Sequence, residues 1–146
     1  MEPVTIVISL ASISELGAKT AKSLFTIGRS LIKARRQING LARDLAGISD
    51  AFNLLANLLK ASGDIVKPEV LGMTQSILDD CTVIYDEINT HISVAEDRSI
   101  ATRERMKWPF RKAKVKKLQR RLETAKSSLN LVVNVLNLAI SLVWLK

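Results

Sequence analysis

Apolar residues recur along the chain at alternating spacings of three and four. The longest uninterrupted run has nine positions: Val115, Leu118, Leu122, Ala125, Leu129, Val132, Leu136, Ala139 and Val143. Positions spaced in this way lie on one face of a helix, because an α-helix has 3.6 residues per turn. The pattern predicts a long C-terminal helix that packs that face against other helices.

Three earlier stretches show the same spacing. Their apolar positions are Ile6, Leu10, Ile13, Gly17, Ala21, Leu24, Ile27 and Leu31; then Ile38, Leu41, Leu45, Ile48, Phe52, Leu55 and Leu59; then Val70, Met73, Ile77, Cys81, Ile84, Ile88 and Ile92. Pro3 and Pro68 suit first turns, Gly63 suits a helix end, and Asp64 suits a cap. We predict helices over residues 3–33, 37–62, 64–97 and 109–145.

Four amphipathic helices with mostly short connections fold most simply as an antiparallel up-down-up-down bundle. The 146 residues are enough for one domain with a single core, so we predict one all-α domain over residues 1–146. Only 4% of the residues are aromatic, which also favours helices over a sandwich or barrel. Cys81 is the single cysteine; it cannot form an internal disulfide, and we interpret it as a buried, inert thiol.

The net charge of +8 is unevenly distributed. Residues 98–121 contain eleven bases and one acid, residues 64–97 contain eight acids and one base, and residues 16–43 contain seven bases and no acid. In the predicted bundle, Lys33, Arg35 and Arg36 join the 98–121 cluster at one pole. The uncharged segments 3–14 and 127–145 lie side by side toward the other pole. Segregated charge of this kind indicates a polyanionic partner, either nucleic acid or an anionic membrane.

The basic start of the fourth predicted helix favours an anionic ligand. Arg111, Lys112 and Lys114 lie in its first turns, where the helix dipole disfavours cations by about 0.3–1 kcal/mol each. A merely soluble surface and neutralisation by the acidic third helix are the alternatives. Nucleic acid is the weaker choice of ligand, because the cluster lacks interleaved aromatic residues and a recognisable binding motif. A membrane is the stronger choice, because the uncharged segments provide the hydrophobic contact that stable membrane attachment needs in addition to charge.

The uncharged tail has two interpretations. It is either a central helix of the bundle, with the polar stripe Asn130, Asn134, Asn137 and Ser141 facing water, or a segment that enters lipid when the bundle opens. Its nineteen residues span roughly 28 Å as a helix, close to the thickness of a hydrocarbon core. Nothing indicates an enzyme or a cofactor: the chain has one histidine, His91, and no phosphate loop or metal-ligand spacing. The acids at Asp79–Asp80 and Asp86–Glu87 read as a solvated helix face.

Two segments resemble a known family. They are MEPVTIVISLASISELGAKTAKSL at the N-terminus and KWPFRKAKVKKLQRRLETAKSSLNLVVNVL, with Trp108, Phe110 and the block LETAKSSLNL as the closest part. They resemble the fungal N-terminal domains of STAND proteins, the fungal NOD-like receptors, which overlap with the HeLo-like (HELL) cell-death domains. The resemblance covers nearly the whole chain, although the middle matches only in pattern. Pro109, between the two aromatic residues, departs from that pattern.

The resemblance implies a non-enzymatic N-terminal effector domain that targets anionic membranes and induces regulated cell death, of the necroptosis-like or incompatibility type, when it oligomerises. It implies control by a C-terminal regulatory part of a longer chain or a cognate receptor. It further implies a cytoplasmic protein that moves to the plasma membrane on activation. The alternative is a signalling or adaptor module that acts by homotypic or other protein–protein helix contacts.

The same resemblance assigns candidate site residues. The expected membrane-inserting residues are Pro3, Val4, Ile6, Val7, Ile8, Leu10, Ile13 and Leu16. The expected contacts to anionic phospholipid are Lys33, Arg35, Arg36, Arg103, Arg105, Lys107, Arg111, Lys112, Lys114, Lys116, Lys117, Arg120 and Arg121. No catalytic, cofactor or metal-binding residue is expected, and no nucleic-acid partner.

Overall fold

A computed structural model describes residues 3–31, 34–62, 66–96 and 112–144. These residues form four α-helices and no strand: α1 (Pro3–Ser30), α2 (Arg35–Ser62), α3 (Pro68–Glu96) and α4 (Lys112–Trp144). The all-α prediction is therefore confirmed for the described part of the chain. The C-terminal helix is the longest, with 33 residues.

The connection between α1 and α2 is held by an arginine. Helix α1 ends at Ser30, before the predicted residue 33, and α2 begins at Arg35, two residues before the predicted start. The Arg35 guanidinium donates to the carbonyl oxygens of Gly28 and Arg29, both at 3.1 Å. These carbonyls lie in the last turn of α1, where no backbone N–H is available to them within the helix. Arg35 therefore closes the turn.

Helix α3 begins at Pro68, four residues after the predicted start. Proline suits the first helical position because it has no N–H to leave unpaired and its φ is already helical. The Lys67 carbonyl accepts hydrogen bonds from the Val70 and Leu71 amides, at 3.0 and 3.3 Å. The predicted cap Asp64, and the predicted helical residues 97, 109–111 and 145, lie outside the described residues.

The predicted apolar faces form the core. All seven positions predicted on α2 are buried, as are those on α1 and those on α4 from Val115 to Leu136. Two predicted positions are wrong. Met73 is exposed, and the neighbouring Thr74 is buried in its place, with its hydroxyl donating to the Val70 carbonyl at 2.8 Å. Val143 is exposed because the packed part of α4 ends near Leu136.

Each helix packs on two others. Helix α1 packs on α2 and α3, and α4 packs on the same two helices. The pairs α1–α4 and α2–α3 are in marginal contact at most within the described residues. The prediction that segments 3–14 and 127–145 lie side by side is therefore wrong, because α1 and α4 occupy opposite corners of the bundle.

Contacts between the helices define their relative positions. Ser14 of α1 donates to the Ser49 carbonyl of α2 at 2.7 Å, and Gly28 lies against Ile38 and Asn39. On the other side of α2, Gln119 of α4 donates to Asp44 at 3.0 Å, and Gly47 lies beside Lys126. The segment of α2 from Asp44 to Gly47 thus lies against the segment of α4 from Gln119 to Lys126.

Three helices approach closely at Gly17. A Cβ at this position would lie 2.8 Å from the Tyr85 hydroxyl of α3 and would overlap the Ser49 hydroxyl of α2. Thr20, one turn later, has its hydroxyl 3.1 Å from the Asn89 side-chain oxygen of α3. Gly17 therefore permits the close approach that brings α1 onto both neighbours.

We expect Gly17→Ala to lower the free energy of unfolding by about 1–3 kcal/mol, because the added methyl overpacks this contact. The matched control is Gly72→Ala in α3, where an added Cβ meets nothing within 4 Å. That change should stabilise the protein by about 0.5–1 kcal/mol through the helix preference for alanine. Urea unfolding monitored by circular dichroism measures both values. Equal stability of the Gly17→Ala variant and the wild type would refute the close approach.

Candidate functional site

A cationic surface covers the first half of α4. Lys116, Lys117, Arg120 and Arg121 are exposed, while Val115, Leu118 and Leu122 of the same turns are buried. The three-four spacing of the buried residues directs the bases outward. Arg36, also exposed, lies in the first turn of α2, a helix that packs on α4.

Few of these cations are neutralised by acids. Lys114 pairs with Glu87 of α3 at 2.6 Å, and both side chains are partly exposed. A partly exposed ion pair of this kind contributes at most about 1 kcal/mol to the free energy of folding. Within residues 3–31, 34–62, 66–96 and 112–144, no carboxylate lies within salt-bridge distance of Lys116, Lys117 or Arg120. Neutralisation by the acidic third helix is therefore limited to one pair in this part of the chain.

Not every predicted lipid contact is on this surface. Arg35 remains exposed, but its guanidinium is engaged by the carbonyls at the end of α1. Lys112 is the first residue of α4, and its side chain is outside the description. The remaining predicted contacts also fall outside the described residues; they are Lys33, Arg103, Arg105, Lys107 and Arg111.

A groove of about 320 Å³ lies between α3 and α4, next to the cationic surface. Arg120, Arg121 and Thr124 line one side of it, and Asp80 and Ile77 line the other. The Asp80 carboxylate offsets part of the positive charge of the two arginines in this groove. Lys116 and Lys117 do not line the groove and have no carboxylate within salt-bridge distance among the described residues, so the outward face of α4 is the more cationic surface.

The predicted inserting residues divide into two groups. Ile6, Leu10 and Ile13 are buried in the core, and Pro3 and Val7 are partly buried. Val4, Ile8 and Leu16 are exposed on the outer face of α1, with Ile8 62% exposed. Insertion of the whole segment would therefore require α1 to leave the bundle, because Ile6, Leu10 and Ile13 are buried in the core.

Two of the described helices are long and apolar enough to cross a membrane. They contain windows within Pro3–Arg29, with a mean hydropathy of 1.3, and within Ala113–Val143, with a mean hydropathy of 1.4. The core helices of soluble proteins meet the same criterion, but they are mostly buried. Here only 33% and 22% of the two windows are buried. Much of the apolar sequence in α1 and α4 is thus on the surface.

Helix α4 carries an exposed apolar surface that was not predicted from the sequence. Leu131, Val135, Leu138 and Leu142 are 45–62% exposed, next to the exposed stripe Asn130, Asn134, Asn137 and Ser141. The exposure of the asparagine stripe agrees with the first of the two interpretations of the tail, in which this stripe faces water, and leaves the lipid-entry interpretation untested. The leucine and valine stripe has the same alternating spacing as the buried face. That second spacing was readable in the sequence, but it did not indicate which of the two faces is covered.

Two buried titratable groups lie near the centre of the bundle. Burial raises the pKa of the Cys81 thiol to about 12; the Asp80 carboxylate acts in the same direction, and Arg121 opposes it. Burial also raises the pKa of Tyr85 above its usual range; Cys81 adds to this effect, and the Ser49 hydroxyl reduces it. Both groups are thus held in their neutral forms, and the prediction that Cys81 is buried is confirmed.

These pKa shifts predict that stability falls at alkaline pH. Below about pH 7.5 both groups are neutral in the folded and unfolded states, because the thiol of an unfolded chain has a pKa of about 8.5. As the pH rises toward 12, the unfolded chain loses the Cys81 proton first, which favours unfolding by up to about 1.4 kcal/mol per pH unit. Urea unfolding between pH 8 and 11 should therefore show a steeper decline for the wild type than for Cys81→Ala. Parallel curves would contradict the raised pKa.

No protein-family model, curated protein or solved structure matches this chain. The resemblance to the fungal STAND and HeLo-like domains therefore remains an expectation. Within the described ranges, no group of three or more His, Cys, Asp or Glu side chains is arranged to hold a metal ion. The site is defined by two surfaces, one cationic and one apolar.

Proposed function

We propose that the chain is an N-terminal HeLo-like effector domain of a fungal STAND or NOD-like-receptor-type protein. In this proposal it docks on anionic membranes and, on oligomerisation, induces regulated cell death. The observation that carries the membrane step is the exposed set Lys116, Lys117 and Arg120, which no acid of the described residues neutralises. The cell-death role and the move from cytoplasm to plasma membrane come from the sequence resemblance alone.

For the architecture, we infer helices that alternate in direction along the chain. Ser14 with Ser49 and Gly28 with Asn39 support opposite directions for α1 and α2. Gly40 with Gln119 and Gly47 with Lys126 support the same direction for α2 and α4. In this arrangement the cationic half of α4 lies at the end where α1 stops, and the apolar half lies at the end where α1 starts.

Electrostatic docking comes first in this proposal. Each base close to an anionic lipid surface contributes about 1 kcal/mol, and several of them act together on α4. Electrostatics alone gives reversible binding, so stable attachment needs a second, hydrophobic signal. Val4 and Ile8 of α1 are exposed and apolar, but in the inferred arrangement they lie at the opposite end of the molecule from the cationic half of α4, so α1 must reorient before they reach a docked membrane. Release of Ile6, Leu10 and Ile13 from the core is the costly step, for which oligomerisation or a regulatory partner provides the energy.

The docking step is tested by charge reversal on α4. Lys117→Glu with Arg120→Glu should weaken binding to vesicles of phosphatidylcholine and phosphatidylserine by at least about 30-fold at low salt, because about 2 kcal/mol of attraction is lost. The matched control reverses the exposed Lys60 and Lys67, at the far end of α2 and before α3. Co-sedimentation with vesicles measures the affinity, which should also fall as salt is raised.

Equal loss of binding in the two double variants would show that only net charge matters and that the α4 surface has no special role. Binding of the wild type to vesicles of phosphatidylcholine alone, as strong as to anionic vesicles, would contradict the electrostatic step.

The insertion step predicts that the outer face of α1 enters lipid. A polarity-sensitive fluorophore on Ile8→Cys, in a Cys81→Ala background, should shift to shorter wavelength with anionic vesicles and be quenched by nitroxide-labelled acyl chains. The control position is Val83 of α3, which is 58% exposed against 62% for Ile8. Labels at both positions that respond alike, or a label at position 8 that stays in water while the vesicles leak, would count against insertion of α1.

The alternative function is a non-enzymatic adaptor module that acts through protein–protein helix contacts. The exposed stripe Leu131, Val135, Leu138 and Leu142 favours it, since apolar faces of this kind mark interaction sites. The two proposals differ in their need for lipid. Concentration-dependent association without any vesicle binding would support the adaptor, and leakage of anionic vesicles would support the effector.

A further inference from the structure

The last three turns of α4 carry an apolar face that the bundle does not use. Leu131, Val135, Leu138 and Leu142 follow the spacing four, three, four, and each is 45–62% exposed. Residues spaced in this way line up along one side of a helix, as in the seam of a coiled coil. The buried residues Leu129, Val132 and Leu136 lie on another side of the same turns.

The face is open because it points away from both helices that pack on α4. Lys117 and Thr124, on the same side of α4 fourteen and seven positions before Leu131, are exposed although α3 runs beside them. Lys114 of α4 pairs with Glu87 of α3, and further along the two helices Arg121 and Asp80 line the same groove. Extending this register at 1.5 Å per residue places Pro68, the first residue of α3, opposite about residue 133 of α4. Beyond that point α4 continues to Trp144, and α1 does not pack on it.

The lack of charged side chains on this face limits the kinds of partner that it can bind. Residues 127–145 contain no charged side chain, although the whole chain has a net charge of +8. A charged partner would find no complementary group on this face. A helix that lies in a lipid interface normally has lysine or arginine along its polar side, but the polar side here is Asn130, Asn134, Asn137 and Ser141. Two copies that each carry a net charge of +8 can meet on this face without repulsion, because neither has a charge there.

We infer that Leu131, Val135, Leu138 and Leu142 form a self-association surface that receives the same stripe of a second copy. A symmetric pair of this kind is self-complementary, so one stripe provides both halves of the interface. The exposed asparagine stripe lies beside the contact, where its amides can hydrogen-bond across it. This inference deepens the oligomerisation step of the proposed function and rests on that function for its biological role.

The pair is expected to be weak in solution. A seam of about three turns per copy is small compared with the roughly 1,200–2,000 Å² buried in stable complexes. Copies that are held on one membrane reach a high effective concentration, so the same contact then becomes strong without any new interaction. The surface therefore connects docking by the cationic half of α4 to assembly by its apolar half.

The test compares two valine substitutions without lipid. Sedimentation equilibrium should detect self-association of the wild type below about 1 mM, and Val135→Gln should weaken it at least about tenfold. Val83→Gln, on the exposed face of α3, should leave it unchanged. Both positions are exposed, so neither change should affect the fold, which circular dichroism checks. No association of the wild type up to 1 mM, or equal weakening by both changes, overturns the inference.

Disulfide trapping provides a second measurement. Residue 138 is near the middle of the stripe, so its two copies come close whether the helices pair in parallel or antiparallel. Leu138→Cys in a Cys81→Ala background should form a covalent dimer on mild oxidation, and Val83→Cys should not. Equal dimer yields at the two positions count against the surface. Vesicle leakage is scored separately: trapping at 138 without any leakage refutes the membrane function and leaves the self-association surface intact.

Discussion

Burial of one face of α2 against two helices at once is the interaction on which the rest of the bundle depends. Its apolar positions from Ile38 to Leu59 are almost fully buried, between α1 on one side and α4 on the other. Burying a side chain such as Leu or Phe is worth about 1.5–3 kcal/mol, so this face supplies a large part of the favourable free energy of folding. Helices α1 and α4 take their positions by packing on α2.

The position of α3 follows from a second constraint. It packs on α1 and α4 but hardly on α2, and it reaches the centre of the molecule through Tyr85, at the point where Gly17 leaves room. That contact is tight and polar, since the buried hydroxyls of Tyr85 and Ser49 both lie against Gly17.

Helix α4 combines two chemical surfaces along its length. Its first half exposes bases and its second half exposes leucine and valine, on a side of the helix that points away from α2 and α3. The charged half carries long-range attraction that salt screens, and the apolar half carries a short-range contact that salt does not weaken. A protein built in this way can respond separately to surface charge and to local concentration, which suits an effector that assembles only where it is recruited.

The sequence by itself determined the four helices and most of the core. Spacings of three and four identify a buried helical face without knowledge of the partner, because the period of the helix is a local property. This is why every predicted position on α2 is buried, and why the bases of α4 point outward. Helix ends were less accurate: the end of α1 depends on Arg35 reaching back to Gly28 and Arg29, a contact between two helices.

Only the tertiary structure decided which helices are neighbours and which apolar face stays open. The placement of α1 and α4 at opposite corners depends on close approaches such as that at Gly17, where the geometry of three helices must agree. Residues 129–143 contain two apolar faces with the same spacing, and spacing alone cannot rank them. Leu138 and Leu142 are on the side of α4 that points away from α2 and α3, and the direction in which the neighbouring helices lie is not encoded in the segment itself.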